Sequence, residues 1–265
     1  MGQAPIAEWF TPIVWTGYVL LIDGVVARLT GRSYLTAARD EFVLVALVSI
    51  AGWWLFELYN APRFWRGGSD LTGLWWQYHD LEPNAFLRRV GYDWAFATIF
   101  PALFLTAAAL RATLFAATRV RPWSVSATTL NVAVAAGGVA VLLPLVTPSP
   151  WLVPLVWVGW ILLLEPVNYR RGRPSWLRDL ARGDASRLLA LLASGVVCGL
   201  LWELWNYWAP TKWTYTVPYL GHVKLFEMPV LGYLGFPPFA LECYAMYHWV
   251  RGVLMPRGEA GTPLI

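Results

Sequence analysis

Two short motifs carry the polar chemistry of this chain, and each occurs twice. Near the end of a strongly apolar stretch, Glu203-Leu-Trp-Asn206 sets a carboxyl and an amide three residues apart, and Trp213-Thr-Tyr215 follows. Earlier, Glu57-Leu-Tyr-Asn60 is followed by Trp76-Gln-Tyr78. On a helix that spacing puts Glu and Asn on one face. There the carboxyl can exchange a proton, and the amide can hydrogen-bond a ligand or a neighbouring loop. A carboxyl group near the centre of a membrane helix costs about 2.5–3.5 kcal/mol, so it faces the interior of a bundle and marks a site. Glu57, Glu203, Glu242 and Asp93 are the acids of this kind. Glu242 follows Pro237-Pro238, a pair expected to interrupt a seventh helix and open it at depth. The expected catalytic residues are Glu203, Glu242 and Glu57. The expected ligand-binding residues are Asn206, Asn60, Trp202, Trp205, Trp213, Tyr215, Trp76 and Tyr78. The competing reading of Glu57 and Glu203 is structural, each closing its own helix end by bonding its Asn or a loop backbone.

Tryptophan is abundant, with 18 in the chain, and many belong to interfacial belts. Trp202, Trp205 and Trp208 recur every three residues beside Glu203, and Trp53 and Trp54 flank Glu57. A carboxyl group among indole faces suits an apolar, unsaturated ligand, and each such face stabilises a transient cation by about 0.5–2 kcal/mol. The same spacing suits a lipid-facing stripe. His79, His222 and His248 form no metal constellation, and Cys198 and Cys243 read as small buried apolar side chains. The lysines, Lys212 and Lys224, both lie outside the apolar segments, which excludes a Schiff-base chromophore. Phosphate-loop, G-x-S-x-G and Cys-x-x-Cys motifs are absent, and neither cofactor nor metal is expected.

The elements that must position these residues are membrane spans. The chain is 58% hydrophobic and 14% charged, against roughly 25% charged in an ordinary soluble domain, and its mean hydropathy is +0.49. A span takes about 20 mostly apolar residues, and seven segments qualify: 9–27, 41–59, 90–115, 127–146, 150–168, 187–208 and 229–252. The expected fold class is an all-α membrane protein of the cell membrane. The start of the chain lacks a basic region of the kind that precedes a cleaved signal, so the first helix is expected to direct insertion. With the N-terminus outside and the C-terminus cytoplasmic, fourteen Lys and Arg fall on the cytoplasmic side and six on the other, as the positive-inside rule requires. The net charge of +4 is then a topology signal and implies no nucleic-acid partner.

The segments repeat. At a constant offset of 142 residues, positions 12–35 contain ten identities in 24, among them Pro12/Pro154, Trp15/Trp157, Gly17/Gly159, Arg28/Arg170 and Ser33/Ser175, with Asp23 falling on Glu165. Glu57/Glu203 and Asn60/Asn206 follow at 146, Trp76/Trp213 and Tyr78/Tyr215 at 137, and Gly91/Gly232 at 141. The unit is three helices. Because four helices separate equivalent positions, the two units run in parallel, giving a 3+1+3 arrangement. Residues 1–116 form the first repeat, 117–149 the connector helix, 150–254 the second repeat and 255–265 a tail.

The order Trp202-Glu203-Leu-Trp-Asn206, Trp213-Thr-Tyr215 and Phe226-Glu227-Met-Pro229 resembles the repeating unit of the membrane-embedded lycopene cyclases of bacteria and fungi. That resemblance implies redox-neutral, acid-catalysed ring closure of a polyene end group. The chain departs from the family where Val230, Leu231 and Gly232 replace the paired acids after the proline. The functional expectation is a duplicated intramembrane site acting on an isoprenoid or carotenoid, with the bilayer and an apolar small molecule as partners. A small-solute transporter, or a lipid- or pigment-binding protein without catalysis, is the alternative.

Overall fold

The computed structural model of the chain describes residues 7–62 and 73–255. Arg63, Arg66 and Arg257, counted in the charge distribution, lie outside the described residues, as does all of the tail beyond residue 255. Helices dominate. Those that matter for the site are α1 (Phe10–Thr30), α2 (Tyr34–Ala37), α3 (Arg39–Asn60), α4 (Ala85–Ala97), α5 (Ile99–Ala112), α6 (Ala127–Val146), α7 (Val153–Arg171), α8 (Trp176–Ala181), α9 (Ser186–Trp208) and α10 (Phe236–Leu254). Among the described residues, six helices are long and apolar enough to cross a membrane: Phe10–Thr30, Arg39–Asn60, Ala85–Ala112, Ala127–Val146, Pro150–Arg171 and Ser186–Trp208. The chain is a helical, multi-pass protein built for a lipid bilayer.

The segment expected as a seventh span, 229–252, is not among the six. A 3-10 turn occupies Val230–Gly235, and α10 then starts at Phe236. Pro237 and Pro238 therefore sit in the first turn of a helix instead of interrupting one. The absent proline N–H groups are among those a first turn leaves unpaired anyway. Glu242, Tyr244, Tyr247, His248 and Arg251 lower the hydropathy of α10, and all five are buried. This helix is the centre of the bundle, packing against α3, α7 and α9.

Close approach depends on glycine at two seams. A Cβ on Gly137 of α6 would lie 2.3 Å from the Leu163 backbone of α7, and one on Gly195 of α9 would lie 2.3 Å from the Phe236 carbonyl. Small residues let helix backbones come together where no hydrophobic drive exists between lipid-solvated helices.

The acids Asp23 and Glu165 prove to be loop anchors. Asp23 accepts hydrogen bonds from the Ser33 hydroxyl at 2.6 Å and the Tyr34 N–H at 2.8 Å. Glu165 accepts from the Ser175 hydroxyl at 2.6 Å and the Leu177 N–H at 3.0 Å. Each serine also caps a short helix, Ser33 on α2 and Ser175 on α8. Gly31 and Gly172 end α1 and α7 in the left-handed region, φ 75° and 73°, which glycine enters without steric cost. At this end of the bundle the loop after α5 pairs with the loop before α9 through Val120 N–H to the Gly183 carbonyl, 3.0 Å, and Ala185 N–H to the Thr118 carbonyl, 3.0 Å.

Candidate functional site

At the opposite end, two four-residue strands lie across the bundle. β1 (Trp76–His79) and β2 (Lys212–Tyr215) pair antiparallel, with Trp76 opposite Tyr215, Gln77 opposite Thr214 and Tyr78 opposite Trp213. The two Trp-x-Tyr motifs are thus hydrogen-bonded to one another. They were separate loops in the sequence, and neither is long enough to announce itself as a strand.

Each strand is held to its own helix by an asparagine. The Asn206 Nδ2 donates to the Trp213 carbonyl at 2.8 Å while its Oδ1 accepts the Trp213 N–H at 2.9 Å. Asn60 does the same for Trp76, donating to its carbonyl at 3.0 Å and accepting its N–H at 3.2 Å, and accepts the Trp75 N–H at 3.0 Å as well. An amide side chain matches the backbone donor and acceptor of one residue. Both asparagines are buried; these bonds go to backbone, and the Asn60 amide also reaches Glu57.

The glutamates one helical turn earlier receive the side chains that the strands carry. Glu57 Oε1 accepts from Trp53 Nε1 at 3.1 Å, Trp76 Nε1 at 3.1 Å and the Tyr78 hydroxyl at 2.5 Å. Glu203 Oε1 accepts from the Tyr215 hydroxyl at 2.7 Å, and Trp213 Nε1 donates to that hydroxyl oxygen at 2.8 Å. Glu203 Oε2 is buried without a hydrogen-bond partner among the described residues. The pair is therefore asymmetric, with three donors on Glu57 and one on Glu203. Burial, reinforced by the adjoining carboxyl groups, pushes both Tyr78 and Tyr215 phenols well above their usual range.

Beneath the strands lies a cavity with about 1280 Å³ of empty space, its open mouth included. Of the eight side chains expected to bind a ligand, Trp76, Tyr78, Trp202, Trp213 and Tyr215 line it, and Asn60, Asn206 and Trp205 do not. Trp205 packs edge-on against Trp15, ring centroids 4.7 Å apart. The three expected acids do not line the cavity either. Glu57 and Glu203 stand behind Tyr78 and Tyr215, whose hydroxyls connect them to the wall. Glu242 is buried elsewhere, its Oε1 accepting the Trp160 N–H at 3.4 Å across α7 and α10. Asp93 accepts from Trp54 Nε1 at 2.6 Å and pairs with Arg89 at 2.9 Å.

The rest of the wall comes from residues the motifs did not point to, including Trp15, Trp53, Trp157, Phe96 and Phe239. The Trp53 and Trp202 rings pack at 5.1 Å between centroids, tilted 40° to one another. One signal for Trp15 and Trp157 was present, since both are Trp at the 142-residue offset, and both reach the cavity. Among the described residues no group of His, Cys, Asp and Glu is placed to hold a metal. His248 is buried between Tyr244 and Tyr247, and both cysteines are free and buried.

No protein-family model, curated protein or solved structure matches the chain.

Proposed function

We propose that the chain binds an isoprenoid in the aromatic cavity and rearranges it by redox-neutral proton transfer. The observation that carries this reading is the placement of the Tyr78 and Tyr215 hydroxyls on a largely aromatic wall, each hydrogen-bonded to a glutamate, the half-buried Glu57 and the buried Glu203. An apolar cavity with a few convergent polar groups is the usual form of a small-molecule site.

In this reading Glu203, with one oxygen bare, holds the proton. For the transfer the proton sits on Oε1, the oxygen that meets Tyr215, and the Tyr215 hydroxyl turns from that oxygen toward the ligand. The carboxyl proton then passes to the Tyr215 oxygen as the Tyr215 proton adds to a terminal carbon–carbon double bond, so that the acidity is that of the carboxyl group. The cation formed lies among Trp53, Trp76 and Trp202, each face contributing about 0.5–2 kcal/mol. A second double bond then attacks it and closes a ring. Loss of a proton through Tyr78 to Glu57 restores an alkene, and exchange of protons with water at the open mouth reprotonates Glu203 and deprotonates Glu57, so atoms, charge and electrons balance without a redox partner. This is the class of reaction that the lycopene cyclase resemblance implies, with a Glu–Tyr pair in place of the paired acids.

The same reading takes α10 as a seventh span and the chain as a 3+1+3 parallel repeat in the cell membrane, with the N-terminus and both strands outside. Three features support the repeat. The strand register is what a twofold axis through Gln77 and Thr214 produces, the two asparagine clamps are alike, and so are the Asp23 and Glu165 loop anchors. Shielding of both carboxyl groups by tyrosines favours a second reading, binding or transport without chemistry.

Comparing lipid extracts of a deletion strain complemented with the wild-type chain, Glu203→Gln or Tyr215→Phe separates the two. The proposal expects a lipid product that both variants fail to restore although they accumulate in the membrane. Unchanged lipid profiles with both variants would replace catalysis with binding.

A further inference from the structure

The lining of the cavity is divided by polarity. Its depth is aromatic and aliphatic, whereas its charged residues are Glu8, Glu82, Arg88 and Lys212. All four lie at the strand-bearing end: Glu8 just before α1, Glu82 and Arg88 around the start of α4, and Lys212 at the start of β2. They form a rim. Lys212 is paired with Glu227 at 2.8 Å. Arg88 is anchored by Nη1 to the carbonyl oxygens of Glu82 and Pro83, at 2.7 and 3.3 Å, and forms no ion pair among the described residues. Beside the rim, Phe86 is 74% exposed and Val90 and Trp94 are also exposed, so this side of α4 meets lipid where the cavity opens.

A hydrocarbon end lying against that rim would strip water from the Glu8 carboxylate and from the parts of Glu82 and Arg88 not already bonded to backbone, Glu82 Oε1 holding the Asn84 N–H at 2.9 Å, which is costly. An end group that both donates and accepts hydrogen bonds replaces the water. Because the rim mixes both signs of charge, it offers no preference for an anionic head.

Resting on the reading of this cavity as an isoprenoid site, we infer that its ligand is an amphiphile bound tail inward from the membrane interface. Its uncharged hydroxyl end stays at the rim formed by Glu8, Glu82 and Arg88. The occupant is then an isoprenoid alcohol, and a polyene that is hydrocarbon at both ends is disfavoured.

Quenching of tryptophan fluorescence tests this with the full chain in nanodiscs, because seven tryptophans line the cavity. The titrants are geranylgeraniol and the deoxygenated hydrocarbon of the same chain length. The expected result is at least tenfold tighter binding of the alcohol. Arg88→Met, which keeps the stem and removes the donor, should weaken the alcohol about fivefold and leave the hydrocarbon unchanged. Glu8→Gln, at an exposed position, provides a second variant that folding does not depend on, with the same selective loss. Equal affinities for the two titrants, or equal loss of both in the variants, would overturn the amphiphile assignment while leaving the cavity reading intact. Binding of neither compound refutes the cavity reading and this inference with it.

Discussion

Replacing Asn206 by alanine tests how the site is held together. The wild-type amide closes two hydrogen bonds on the backbone of one residue, Trp213, at 2.8 and 2.9 Å, in a side chain only 1% exposed. Alanine removes both partners and leaves the Trp213 N–H and carbonyl buried. An unsatisfied buried backbone group costs about 1–3 kcal/mol, so the pair amounts to roughly 2–6 kcal/mol. Water entering from the mouth of the cavity relieves part of that, which places the expected loss near 3 kcal/mol. Asn206→Asp keeps an acceptor for the Trp213 N–H and loses the donor, so it should fall between alanine and wild type. Thr214→Ala, on the same strand but bonded only to the exposed His79 ring, should change stability by less than about 0.5 kcal/mol. The assay is thermal unfolding in detergent followed by intrinsic fluorescence, with denaturant midpoints for the free-energy scale. A loss under 1 kcal/mol for Asn206→Ala would refute the clamp, and with it the claim that this residue positions Tyr215 instead of touching a ligand.

Further outcomes follow from the same geometry. Gly137→Val should separate α6 from α7, since even a Cβ there lies 2.3 Å from the Leu163 backbone, and should lower the melting temperature more than Gly138→Val, whose Cβ position is open. The Tyr78 and Tyr215 phenols are raised above their ordinary value of about 10 in the folded chain. Unfolding lets them ionise, so their contribution to stability is complete below pH ~10 and is lost as pH rises toward their folded values. The fall in melting temperature above pH ~10 should accordingly be shallower in Tyr78→Phe than in wild type, and an unchanged slope would contradict it. Cysteines at the exposed positions Thr216 and Arg121 should report topology: an impermeant thiol reagent on whole cells is expected to label the first and spare the second, and the reverse pattern would invert the orientation.

Much of the site was legible as a list of residues, and little of it as an arrangement. The Glu-x-x-Asn and Trp-x-Tyr spacings identified side chains that do meet, because a helix face and a short loop constrain them locally. The pairing of β1 with β2 depends on residues 133 to 139 positions apart, and four-residue strands leave no periodicity to read. Asn60 and Asn206 looked like ligand groups because an amide serves a ligand and a peptide equally well; the structure assigns them to peptides. Glu242 was grouped with Glu203 on the expectation of a helix broken at Pro237. With α10 starting at Phe236, that acid faces α7 instead. The polar residues of α10 lowered its hydropathy because it is surrounded by protein, where burial is measured against other helices and not against lipid. Trp53 and Trp202 belong to different helices, and their packed rings followed from no spacing within either one.

An isoprenoid held in the cavity is detected most directly by mass spectrometry of the organic extract from the purified, full-length protein. It should contain a stoichiometric isoprenoid that is depleted in a Trp53→Ala/Trp202→Ala variant which still folds. An extract holding only bulk phospholipid, identical in wild type and variant, would contradict that occupancy.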